Sequence, residues 1–197
     1  MCLKKGVYPA MTTAALNSTL RGENAWVGAI RWDAWHGDHG MPGKSVQAAL
    51  GPKKWHCRLP FFAEIVSDDE VRIDGTSQGV MDQEIEFAAK GGLDYWAFLA
   101  YPPDDAMSIG LKRYLSSGVR NKMRFCLISE CGRWHDPAYV ERLSDLMKEP
   151  GYVTVLGNRP VLYLGFITEV KLTNHWAGVA GLRKVVDDFR AAARAKT

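Results

Sequence analysis

The sequence predicts an α/β fold made of parallel (β/α) units of TIM-barrel type, with about four strands and a long insertion after the first. Three observations carry this. Four short apolar runs of strand length alternate with helical patterns, and that alternation is the signature of a parallel sheet with right-handed crossovers. The 197 residues are 47% hydrophobic, enough to bury a real core and too apolar for a disordered chain. No repeat or low-complexity stretch divides them, so the chain reads as a single domain over 1–197. Within it, 1–24 is an N-terminal extension and 34–76 an inserted loop and hairpin region.

The first strand is expected over 26–33 (WVGAIRWD), ending in charged residues. The second spans 94–101 (DYWAFLAY) and is closed by Pro102 and Pro103. The third is Arg124–Glu130 (RFCLISE) and the fourth 160–166 (PVLYLGF). Each is rich in aromatic and aliphatic residues and bounded by Gly, Pro or charge. Gln78–Lys90 sets Val80, Met81, Ile85, Phe87 and Ala88 in helical register, and Gly91-Gly92 stops it. A second helix is expected over 106–117 with Asp104 or Asp105 as N-cap, and a third over 137–148 with Asp136 as N-cap and Pro137 at its first position. A fourth runs over 178–195. The segments 59–66 and 70–73 can pair as a hairpin around Ser67-Asp68-Asp69.

Several blocks resemble a known group. They are VGAIRWDAWHGD (27–38), RLPFF (58–62), MDQEIEFAAKGGLDYWAFLAYPPD (81–104) and SECGRW (129–134). Asp82, Glu84, Ile85 and Ala88 match a helix block, and Gly92, Asp94, Tyr95, Trp96 and Phe98 the strand block after it. Together they resemble the glycoside hydrolase family 99-like barrels, which include the WbsX-type proteins of polysaccharide gene clusters. The likeness covers roughly residues 25–170. It implies a (β/α)8 barrel acting on glycans. Four units are half of such a barrel, which takes about 250 residues. The family's catalytic carboxylates lie in a C-terminal half that has no counterpart here. The chain is therefore expected to be a fragment, or half of a barrel closed by a second copy, since a half-barrel exposes apolar edges that call for cover.

Reactive groups in parallel barrels sit at the C-terminal ends of strands. Strand one delivers Arg31, Trp32, Asp33, Trp35, His36 and Asp38 there. Arg31 and Asp33 suit sugar hydroxyls, and Trp35 suits stacking on a ring's apolar face; an ion pair and core tryptophans are the plainer alternative. Strand two ends in Tyr101, a hydroxyl for a sugar. Strand three ends in Glu130, followed by Arg133 and Trp134. Glu130 and Asp33 are the expected catalytic pair, read as facing one pocket from neighbouring strands, with the other eight as substrate contacts. The leading reading is hydrolysis of glycosidic bonds by carboxylate acid/base chemistry. A non-catalytic carbohydrate-binding remnant is the second reading, and a metal-dependent hydrolase using His36, Asp38 and His39 the third. The leading reading needs no cofactor and no metal.

The net charge of +3 is spread along the chain, which argues against a nucleic-acid partner. No apolar run approaches the ~18 residues of a spanning helix, so no membrane partner is expected. No signal peptide is evident, so a complete chain is expected in the cytoplasm; for a fragment of a secreted protein the location stays open. Cys2, Cys57, Cys126 and Cys131 lack metal-ligand spacing and read as reduced thiols.

Overall fold

The computed structural model describes residues 25–196; the extension expected over 1–24, with Cys2, lies outside them. Strand β1 (Gly28–Arg31) leads into the insertion, which carries helix α1 (Met41–Leu50) and the strands β2 (Glu64–Ile65) and β3 (Val71–Arg72). Helix α2 (Gln78–Lys90) returns the chain to β4 (Tyr95–Leu99), and α3 (Ile109–Ser116) returns it to β5 (Arg124–Glu130). After α4 (Pro137–Leu146) come β6 (Thr154–Val155), β7 (Arg159–Pro160) and β8 (Leu162–Gly165), then α5 (Glu169–Trp176) and α6 (Val179–Lys196). Strands β1, β4, β5 and β8 form one sheet in that order, every neighbouring pair parallel. The fold is α/β, with consecutive strand–helix units lying side by side.

Local chemistry sets the elements. The Ser77 hydroxyl accepts the Val80 N–H at 3.2 Å to start α2, and Gly91-Gly92 ends it with Gly92 at φ 90°. The Asp136 carboxylate accepts the Ala138 N–H at 3.0 Å, with Pro137 in the first turn of α4. Tyr114 on α3 is fully buried, its ring against Trp96, Phe98 and Phe125, and its hydroxyl donates to the Met123 carbonyl at 2.6 Å. Burying such a side chain contributes roughly 1.5–3 kcal/mol. Met81 and Ile85 of α2 and Leu143 of α4 complete the same core layer.

The departures have physical causes. Helix α1 stands where loop was expected: its interior Gly43 lets the helix lie on the turn at Gly37, whose carbonyl oxygen would be 2.1 Å from an added Cβ. The expected hairpin forms as β2 and β3. The fourth strand is shorter than 160–166, because Pro160 is drawn into a hairpin of β7 with β6 whose turn places Leu156, Gly157 and Asn158 at positive φ. The C-terminal helix is preceded by α5, capped by Thr168 and separated from α6 by Ala177 and Gly178, both at positive φ. Cys57 is disulfide-bonded, against the reading of four reduced thiols. The insertion leaves and rejoins the sheet at one point, where His36 bridges Asp74 and the Gly75 N–H donates to the Trp35 carbonyl at 2.7 Å. No described helix is long and apolar enough to cross a membrane.

Candidate functional site

Sheet register decides which side chains meet. Arg31 pairs with Phe98, Phe98 with Leu127 and Leu127 with Leu162, so these four share a face. Phe98 meets Tyr114 of α3, which makes it the helix-covered face. Ile30 pairs with Ala97, Ala97 with Cys126 and Glu130 with Gly165 on the opposite face. Alternation along the strands adds Ile128 and Tyr163 to that second face. There the Tyr95 and Tyr163 hydroxyls are hydrogen-bonded at 2.8 Å. That bond raises the Tyr95 phenol to about 12. Between them the Cys126 thiol is sealed, and burial pushes it up to about 12.

At the carboxyl ends of the strands, the second face carries a cluster of groups suited to a sugar. The Trp32 Nε1–H donates to the Tyr101 hydroxyl at 2.9 Å, leaving the 58% exposed indole ring flanking the Tyr101 side chain. Tyr101, Glu130, Arg133 and Phe166 border one crevice floored by Leu99 and Ile128. Glu130 is ion-paired to Lys171 of α5, and the Arg133 guanidinium stands 3.9 Å away. Trp32, Tyr101, Glu130 and Arg133 are thus brought to one rim, as expected from their places at strand ends.

Arg31 and Asp33 go elsewhere. Arg31 turns into the helix-covered face, where its guanidinium lies 4.5 Å from the Trp96 ring centroid. Its Nε–H donates to Asp33 at 2.7 Å and its terminal N–H to Glu84 of α2 at 2.6 Å. Burial pulls the guanidinium down, but the two carboxylates and their hydrogen bonds outweigh it and hold it above its ordinary value. Burial raises Asp33 by more than Arg31 lowers it. Asp33 lies beneath Gly110 of α3, where an added Cβ would stand 2.0 Å from its Oδ2. The expected Asp33–Glu130 pair therefore does not form: the two carboxylates occupy opposite faces of the sheet. An even count of residues from Arg31 fixes Asp33 on the helix side, and the parallel register puts Glu130 on the other.

Two further expectations are corrected. Trp134 is 7% exposed, stacked on Phe189 at 4.5 Å, and donates to the Ser129 hydroxyl at 2.7 Å; it is core and not a substrate contact. His36, Asp38 and His39 do not assemble a metal site, and no group of three such ligands exists among the described residues. His36 is buried with neither ring nitrogen hydrogen-bonded, while Asp38 takes a long 3.4 Å bond from Gln47. Burial, then the nearby Arg31 charge, lowers the His36 imidazole to about 4. Trp35 lines a cleft of about 380 Å³ along the outer edge of β1, shared with Ile30, Trp32, Phe61 and Phe87.

Glu84 was missed as a partner of strand one. Its signal lay in the helical stripe Met81, Glu84, Ile85, Ala88: a carboxylate on an apolar face requires a buried cation.

No protein-family model matches the chain, and no curated protein or solved structure matches it either.

Proposed function

We propose that the chain binds glycans at the carboxyl rim of its parallel sheet, as a module of glycoside hydrolase type. The observation that carries the reading is the Trp32–Tyr101 pair held beside Glu130 and Arg133 on one face. An indole and a phenol offer flat apolar surface to the C–H face of a sugar ring. A carboxylate and a guanidinium offer an acceptor and fixed donors to its hydroxyls. Parallel α/β sheets place ligands at this end of their strands. Glycosidic hydrolysis needs two carboxyl groups about 5–9.5 Å apart. Asp33 lies behind the sheet and is not paired with Glu130 at the rim, so binding is the function that these residues support.

The test is a glycan array followed by calorimetry on the ligands retained. Trp32→Ala is expected to weaken binding tenfold or more with the far-UV circular dichroism unchanged. Binding that is indifferent to both Trp32→Ala and Tyr101→Phe would refute this placement. On chromogenic glycosides, Glu130→Gln is expected to lower any turnover by a hundredfold or more.

A further inference from the structure

We propose that two copies of this chain close an eight-stranded parallel barrel about a two-fold axis, bringing the two Glu130 side chains together at its rim. Each copy holds four parallel strands in sequential order, with β1 and β8 as the outer members of the sheet. Among the described residues neither outer edge has a partner strand, and unpaired strand edges demand one. A rotation of 180° about an axis along the strands leaves strand direction unchanged. It lays β8 of each copy against β1 of the other, so both edges are satisfied at once and none remains. Eight strands is also the number at which a barrel interior is just filled by side chains.

The apolar surface follows these edges. Ile30 is 73% exposed, Trp32 58%, Phe61 51% and Phe87 56% beside β1, while Tyr163 is 43% and Phe166 60% exposed beside β8. With Trp32 set aside as the ring that meets the ligand, the other five leave about 570 Å² open at roughly 200 Å² per fully exposed large side chain, the greater part of the ~800 Å² per partner of a stable interface. In the central strands, by contrast, Ala97 and Cys126 on the same face are 2% and 0% exposed. The cleft along β1 is then the groove that receives the partner's β8.

The assembly completes the rim. β5 is third of four, so its symmetry mate stands opposite across the axis, and Glu130 at its end faces a second Glu130. A second copy thus brings a second Glu130 carboxylate to the rim, in the place that Asp33 does not take. This last step rests on the glycan reading of the rim; the closure itself does not.

The full chain is examined by sedimentation and small-angle X-ray scattering. The expected result is a mass twice 21.9 kDa and a radius of gyration of about 21 Å, that of a compact body of that size. Ile30→Lys is expected to give a monomer with unchanged circular dichroism. Glu130→Cys is expected to cross-link through a short bismaleimide under conditions that leave the parent chain unlinked. A monomer at all concentrations, an elongated dimer, or a Glu130→Cys dimer that resists cross-linking would each overturn the proposal. A compact cross-linked dimer that binds no glycan keeps the closure and refutes the ligand reading. Glycan binding by a wild-type monomer does the reverse.

Discussion

Replacing His36 by leucine measures what an unpaired imidazole costs this fold. His36 is 4% exposed and neither ring nitrogen has a hydrogen-bond partner. The folded chain protonates it only near 4, whereas the unfolded chain does so at the ordinary 6.5. As pH falls from 6.5 the unfolded state takes up the proton first, so stability is full above 6.5 and declines towards 4. That depression corresponds to roughly 3 kcal/mol over the interval. Burial disfavours the imidazolium most and the Arg31 charge next; Glu84 and Asp74 each favour it less strongly than Arg31 opposes it, and His39 opposes it least. The raised Asp33 slopes the opposite way, losing stability as pH rises through its folded value, but it is present in both chains and cancels in the comparison. Leucine of similar volume carries no proton and no unsatisfied nitrogen, so the variant is expected to match or exceed the wild type at pH 7.5. Its advantage should widen by about 2–3 kcal/mol at pH 4.5. Urea unfolding at the two pH values provides the measurement. An advantage that stays constant with pH would show that His36 is protonated in the folded state, and the reasoning would fail.

Two more outcomes follow from the ion network behind the sheet. Arg31→Met strands two carboxylates, Asp33 fully buried, and is expected to cost about 3–5 kcal/mol; adding Asp33→Asn and Glu84→Gln should recover much of it, as thermal unfolding of the triple variant would show. Gly110→Ala drives a methyl group to 2.0 Å from the Asp33 carboxylate, so α3 must shift; a loss of about 1–3 kcal/mol in urea is expected, and a neutral result would mean that Asp33 is not held under the helix.

Much of the architecture was legible because alternation of short apolar runs with amphipathic stretches speaks directly of parallel strands and covering helices. Gln78–Lys90 and Arg124–Glu130 were readable to the residue, since Gly91-Gly92 and the charged strand ends mark their limits. The insertion was less readable: α1 contains Gly43, an interior glycine that lowers helix propensity but permits the close approach to Gly37. The break at Ala177 depends on a left-handed alanine, which no local rule favours. That Trp32, Tyr101, Glu130 and Arg133 share one rim was legible because each lies at, or just past, the carboxyl end of a parallel strand. Asp33 was misplaced because alternation within one strand says nothing about which of its faces aligns with a given face of another. That is set by register, and register is fixed by packing partners such as Glu84, 53 residues away.

The pinched neck of the insertion has a consequence for how freely this chain can vary. With His36 against Asp74 and Trp35 bonded to Gly75, everything between them departs from and comes back to a single point on the body. Beyond the neck, Phe61 still packs edge-on against Phe87 of α2 at 5.1 Å and lines the cleft along β1, so that contact has to be kept. The entropy of closing such a loop grows only logarithmically, about 0.6 kcal/mol for each doubling of its length. Segments away from that contact could therefore be added, trimmed or exchanged, near the carboxyl ends of the strands, while the strand order stays untouched. Those attachments separate the part of the molecule that must remain constant from the part free to diversify.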